Sequence, residues 1–206
     1  MTDQHTPHSL SDWLNYLSHS EVDFLYRLAV ALPDNPRVVN IGAGGGTSAL
    51  AFLSARPDLH LLTVDLQAEV TPVGGLENER LILEASGVDY SARYTSIAGD
   101  SKAVGLSFDK PLGLDAVFVD GDHTREGCGG DIEVWLPHLK PGGVIAIHDY
   151  KKVDAYSKEH PDVHITPELI GAEIKPYPGV DKAVDDLLLG RYELVDTVYT
   201  LIAFIK

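Results

Sequence analysis

The chain has 206 residues, 44% hydrophobic and 23% charged, and its sixteen Lys and Arg face thirty-one Asp and Glu for a net charge of −15. That length accommodates one domain with a real core, and so acidic a chain repels nucleic-acid phosphates and anionic lipid. A single cysteine, Cys128, excludes an intrachain disulfide, a start without a basic-then-apolar pattern fits a reducing cytoplasm, and no apolar run approaches the roughly 20 residues that span a bilayer.

Residues 1–12 are polar. Ser20 to Leu32 then reads as a helix, because Phe24, Leu25, Leu28, Ala29 and Leu32 share one stripe. Ser20 suits its N-cap and Pro33 its stop. After the turn Pro33-Asp34-Asn35-Pro36 the rhythm changes. Apolar runs recur at Val38–Ile41, Leu61–Val64, Ala116–Val119 and Val144–Ile147. None alternates strictly with polar residues, which suits strands covered on both faces of a parallel sheet. Helix-like stretches separate them at Thr47–Ala55, Gly75–Ser86 and Thr124–Leu139, and Tyr90–Ile97 is a weaker strand. Strand, helix, strand, helix predicts a Rossmann-like, doubly wound α/β sheet. Residues 154–179 break the alternation with four prolines, so they read as a lid or substrate-facing insertion. A helix over Val180–Leu189 and two closing strands, Tyr192–Val195 and Thr200–Ile205, predict a C-terminal antiparallel hairpin. One domain, 1–206, is expected, with 1–36 as an N-terminal helical extension.

Chemistry concentrates at the ends of these strands. The segment Ile41-Gly42-Ala43-Gly44-Gly45-Gly46-Thr47 leaves a strand and opens a helix. Glycines there let backbone approach a ligand, and the helix start offers free N–H groups. A dinucleotide fingerprint needs Gly or Ala where this chain has Thr47, which argues against a nicotinamide-dependent oxidoreductase. Asp65 closes the second strand, where an acid is placed to accept from two ribose hydroxyls. Val119-Asp120-Gly121-Asp122-His123 and Ile147-His148-Asp149-Tyr150 close two further strands. If those strands are neighbours, Asp120, His123, His148 and Asp149 converge on one rim, and carboxylates with imidazole suit a divalent metal. Singly, Asp120 also suits a helix cap, Asp149 a turn and His148 a hydrogen-bonded core position.

With Ile41–Gly46, Leu62-Thr63-Val64-Asp65, Gly99-Asp100-Ser101 and Leu139-Lys140-Pro141-Gly142-Gly143, the chain resembles the class I S-adenosylmethionine-dependent methyltransferases. Within them it is most similar to bacterial small-molecule and sugar O-methyltransferases, which carry an Asp-Gly-x-His segment and a His-Asp or Glu-Asp pair. The resemblance implies a seven-stranded, mostly parallel sheet. It also implies that Gly42, Ala43 and Gly44 lie against the methionine part of the cofactor, with Asp65 on the ribose and Leu66 beside the adenine. Asp100 and Ser101 would lie near the adenine amino group, and Asp120 would border the cofactor as well as a metal. Many members have an acid where this chain has Asn40. In the metal-dependent members Asp120, His148 and Asp149 would be the ligands, for Mg²⁺ or, given the histidine, Mn²⁺. His123 matches a proposed general base, suited by an imidazole pKa near ~6.5.

The expectation is therefore an enzyme that methylates a hydroxyl of a small molecule (a sugar, natural product or catechol-like ring), metal-assisted, with a homo-oligomer possible and neither nucleic acid nor membrane as a partner. A metal-independent enzyme of the same fold and a non-catalytic binder are the rivals. Cys128 reads as a small buried thiol. Tyr150, Tyr156 and Tyr177 suit an acceptor wall or packing, and Trp13 and Tyr16 a pocket cover or a dimer contact.

Overall fold

The computed structural model describes residues 17–69, 74–163, 165–172 and 174–206. The features read at residues 1–12, Trp13 and Tyr16 lie outside them. In chain order the elements are α1 His19–Ala31, β1 Arg37–Ile41, α2 Thr47–Ala55, β2 His60–Asp65, α3 Leu76–Ser86, β3 Tyr94–Ala98, α4 Ser101–Leu106, β4 Leu114–Val119, α5 Arg125–Trp135, β5 Leu139–Ile147, α6 Lys152–Glu159, α7 Pro167–Ala172, α8 Pro178–Leu187, β6 Glu193–Val198 and β7 Leu201–Ile205.

Seven strands form one sheet in the order β3-β2-β1-β4-β5-β7-β6. The first five are parallel neighbours, and β7 runs antiparallel to both β5 and β6. Side chains alternate between faces along each strand. Val38, Leu61, Ala116, Phe118 and Ala146 enter one apolar layer with α1 and α2, while Val39, Ile41, Val117, Val119 and Ile147 enter the other with α5 and α8. Each fully buried Leu or Phe contributes about 2 kcal/mol of burial. Both faces being covered explains why the strands read as unbroken apolar runs.

The register aligns the strand ends. Ile41 pairs with Val64 on one side and Val119 on the other, and Val119 pairs with Ile147. Gly42, Asp120 and His148 therefore come directly after their strands and Asp65 is the last residue of β2, all on one rim at the carboxyl ends where such sheets bind ligands.

Three local readings change. The N-cap of α1 is Ser18, not Ser20: Ser18 and Glu21 form a reciprocal capping box. The helix expected to run to Leu139 stops at Trp135, because Pro137 enforces a 3-10 turn over Leu136–His138 and Leu139 already belongs to β5. The Pro-rich stretch carries two short helices, α6 and α7, instead of irregular chain.

Candidate active site

The glycine turn is shaped by close backbone packing. Gly42 has φ +91°, and a Cβ there would overlap the carbonyl oxygen of Asp120. Gly44, also at positive φ, faces open space. Asp65 ties the turn to β2: one carboxylate oxygen accepts from the Ala43 N–H at 2.7 Å, and the other from the Gln67 N–H at 2.6 Å. A carboxylate has about four acceptor sites, so both oxygens keep capacity for hydroxyl donors. Beside it Leu66 is 71% exposed, an apolar face next to an acid. The Gly99 N–H donates to the Asp65 carbonyl at 2.9 Å, which brings the start of α4 to the same edge.

Asp100 caps α4 by accepting from the Lys102 N–H at 3.0 Å. The Ser101 hydroxyl is turned away toward Asp131, a buried acid of α5 to which it donates. Burial raises the pKa of Asp131. Asp131 belongs to no motif in the sequence, and its one signal is an acid on the helix stripe shared by Cys128 and Trp135. Cys128 itself is buried, and burial pushes its thiol up to about 12.

At the ends of β4 and β5, Asp120, His123 and Asp149 bring one donor atom each within 4.8 Å of one another. His123 Nε2 lies 3.2 Å from Asp149 Oδ2 and 3.5 Å from Asp120 Oδ1. That nitrogen is buried although the side chain is partly exposed, and its geometry to neither oxygen makes a formed hydrogen bond. Asp149 takes φ +62° as the chain leaves β5, which turns its carboxylate to the rim. Its other oxygen accepts from Lys152 Nζ at 2.7 Å.

His148 sits behind this cluster. It is 6% exposed, with Nδ1 3.2 Å from Asp120 Oδ1 and Nε2 3.3 Å from both Glu21 Oε1 and Thr200 Oγ1. Both ring nitrogens are thus committed to protein partners. The ligand set expected at Asp120, His148 and Asp149 differs from what the geometry gathers, with His123 standing where His148 was expected. Glu21 was missed altogether. It is 1% exposed, and its Oε1 accepts from the Thr200 N–H at 3.0 Å and hydroxyl at 2.6 Å. Its one sequence signal was the Ser18-x-x-Glu21 capping pattern.

The electrostatics are set by this packing. Burial opposes charge on every member, but the pairing wins. Asp120 and Asp149 are held well below the usual carboxylate range by the two imidazoles. Glu21 is lowered by His148, despite its burial. Burial disfavours protonated His123, yet Asp120 and Asp149 raise it to about 9. His148 is likewise raised well above its ordinary value.

Of the three tyrosines, Tyr177 joins the site. Its ring stacks on His123, and Lys152 Nζ lies 5.2 Å from the ring's centroid. Tyr150 is buried and donates to Asp185, and Tyr156 packs on His160. Among the described residues no helix is long and apolar enough to cross a membrane.

Comparison with known proteins places this geometry. A family model described as a methyltransferase domain matches residues 39–150, more than half of the chain. The O-methyltransferase TomG from Streptomyces achromogenes, involved in tomaymycin synthesis and solved with SAM, superposes with a TM-score of 0.64 at 20% identity, over 97% of this chain and 87% of its own. The SAH-bound methyltransferase PaMTH1 from Podospora anserina gives 0.68 at 18% identity, over 100% and 89%. The uncharacterized protein R132 of Acanthamoeba polyphaga mimivirus is 23% identical over 161 residues, 77% of this chain, which spans 64% of that relative's length. With sheet order, glycine turn and family match in agreement, the chain belongs to the methyltransferase domain family and has the class I S-adenosylmethionine-dependent methyltransferase fold.

Proposed function

We propose that the chain transfers a methyl group from S-adenosylmethionine to a hydroxyl of a small molecule, with His123 accepting the hydroxyl proton. The observation that carries this is the seat of His123. Its Nε2 is buried between two carboxylates, which hold a proton on that nitrogen and leave Nδ1 to accept the hydroxyl proton, on the rim where Gly42 packs against Asp120. The residues fit the cofactor: the turn has no side chain at Gly42 or Gly44, an acid with spare acceptor capacity ends β2, and an exposed leucine stands beside it. When bound, S-adenosylmethionine supplies a methyl group already activated on a sulfonium.

The chain's own task is to hold the acceptor in line and to take its proton. Asp65 binds and orients the cofactor's ribose. Leu66 and Asp100 flank its base, with Ser101 behind them on Asp131. Asp120 and Asp149 orient the His123 ring and stabilise the imidazolium formed as the proton arrives. Tyr177 fixes the ring from one face and contributes an apolar wall for an acceptor. Positioning of this kind supplies much of the barrier reduction. In the single-domain reading, the described part of the stretch 154–179, Tyr177 included, lies on the acceptor side of the site.

One observation favours a second reading, with a divalent cation between Asp120, His123 and Asp149. His123 Nε2 has no formed hydrogen bond, and its separations from the two carboxylate oxygens suit ligands sharing one ion. When bound, such an ion supplies a Lewis acid that orients the acceptor and lowers its pKa. His148, with both nitrogens engaged, would then hold Asp120 from behind as a supporting partner.

The test is methyl transfer from labelled S-adenosylmethionine to a panel of sugars, polyols and catechols, with His123→Ala alongside. Label transferred by the wild type and lost in the variant supports the proposal. Calorimetric binding of NAD without binding of S-adenosylmethionine would sink it.

A further inference from the structure

Behind the glycine turn lies a carboxylate that takes no part in the proton transfer. Glu79, on α3, is 0% exposed. A Cβ on Gly46, at the start of α2, would come within 2.9 Å of the Glu79 Cα, so α3 is pressed against the turn at this residue. Glu79 Oε1 accepts from the Tyr94 hydroxyl of β3 at 2.6 Å. Its Oε2 lies 3.4 Å from Asn40 Nδ2, at the end of β1. The same Asn40 amide donates to the carbonyl of Gly42 at 3.1 Å, and Asn40 Oδ1 accepts from the Ser48 hydroxyl of α2 at 3.2 Å. Asn40 is fully buried too. A chain of polar contacts thus runs from a buried acid, through one amide, into the first carbonyl of the turn.

A fully buried carboxylate is costly unless something uses it. A purely structural role needs only an acceptor, and a buried Gln would accept from Tyr94 and Asn40 without a charge. What an acid adds is a negative charge in a low-dielectric layer directly behind a loop read here as the seat of a cationic cofactor. Charge there acts over a longer range than at the surface.

We propose that Glu79 is a positioning residue for the cofactor: it holds Asn40 against the Gly42 carbonyl, and its ionised form favours the sulfonium-bearing cofactor over the neutral thioether product. This rests on the reading of the glycine turn as an S-adenosylmethionine site.

Titration supports the geometry. Burial raises the Glu79 carboxyl to about 7, against hydrogen bonds from Tyr94, Thr63 and Asn40 that favour the ion and with repulsion from Asp65 that opposes it. The groups facing it are Asn40 from β1, Thr63 and Asp65 from β2 and Tyr94 from β3, while the α2 side presents the backbone of Gly46. The Tyr94 hydroxyl is itself raised by burial and by the Glu79 charge, so it stays a donor.

The experiment is calorimetry with S-adenosylmethionine and S-adenosylhomocysteine on the full chain, between about pH 6 and about pH 8. Both ligands carry an amino acid group, but the sulfonium lowers the ammonium pKa of S-adenosylmethionine, so the ratio of affinities is read as a difference between wild type and variant, which see the same ligands. In the wild type that ratio should move toward S-adenosylmethionine by about threefold or more as the pH rises. In Glu79→Gln it should move by no more than the remainder due to His123 and the ligands' own amino groups, which both proteins share, so the wild type should exceed the variant by that threefold. Tyr94→Phe removes a donor to the ion and should shift the midpoint upward, which keeps the test open if the Gln variant folds poorly. A wild type that binds neither ligand overturns the cofactor reading and this inference with it. A wild type that binds both, with the ratio and its pH dependence unchanged in Glu79→Gln and Tyr94→Phe, overturns this inference alone.

Discussion

The rings of His123 and Tyr177 lie face to face, with centroids 4.0 Å apart and planes 26° from parallel. The start of α8 holds Tyr177 there. A Cβ on Gly179 would come within 2.6 Å of the His123 carbonyl and 2.5 Å of the Arg125 nitrogen, so this first turn rests on the backbone around His123. The stack uses the ring and not the hydroxyl. Tyr177→Phe should therefore keep methyl transfer near wild type, while Tyr177→Ala frees the imidazole and lowers kcat about tenfold. Affinity for S-adenosylmethionine should stay unchanged in both, as calorimetry will show.

Raising the pH should move activity and stability in opposite directions. Only neutral His123 accepts a proton, and its pKa is raised to about 9. Turnover should climb about tenfold per pH unit on the acid side and level off near that value. The sign for stability is reversed. His123 is raised above its unfolded value, so its pairing with Asp120 and Asp149 contributes fully below about pH 6.5 and is lost as pH passes through about 9. His148, raised in the same sense, adds to that loss. Thermal melting across this window should fall while the initial rate rises. In His123→Gln the alkaline decline in melting temperature should be shallower.

The sheet and its rim were legible because their causes are local. Apolar runs mark strands covered on both faces, and a shared register carries Gly42, Asp65, Asp120 and His148 to one edge. Even the burial of His148 is a consequence of strand alternation. It continues the face of Phe118 and Ala146, and its ring lies 6.2 Å from that of Phe118. Its partner could not be read. Glu21 comes from a helix far away in sequence, and only the packing of α1 beside the start of β7 brings it to Thr200 and His148. Lys152 was equally hidden, since its approach to Asp149 depends on positive φ at Asp149 and Lys151. Asp131 and Glu79 were masked by helix patterns in which an acid reads as a solvated face.

Removing the buried acid of α1 tests how that helix supports the rim. Glu21 joins the α1 cap, the Thr200 backbone and His148 in one contact set. Deleting it leaves a buried imidazole and hydroxyl without their acceptor. Glu21→Ala should cost about 3 kcal/mol in urea denaturation at neutral pH. Glu21→Gln, which keeps an acceptor for Thr200 but no charge for His148, should cost less. A loss under about 0.5 kcal/mol for the Ala variant would show that the set contributes nothing net.

Chelation decides between the two roles open to His123, because a cation at Nε2 displaces the proton that Asp120 and Asp149 otherwise hold there. If His123 acts as the base alone, exhaustive chelation leaves both the rate and its pH profile unchanged. If a cation sits between Asp120, His123 and Asp149, its binding must displace the imidazole proton. Mn²⁺ binding measured by calorimetry should then release protons and strengthen with pH by up to about tenfold per unit below about pH 9. Added Mn²⁺ should move the acid limb of the rate profile to lower pH, since the ion holds His123 neutral. Asp149→Asn should abolish both effects. Lys152→Met should strengthen Mn²⁺ binding, because it removes the cation that already neutralises Asp149 from its other oxygen at 2.7 Å. A rate profile that shifts with Mn²⁺ yet is insensitive to Asp149→Asn would place the ion elsewhere and leave His123 as the base.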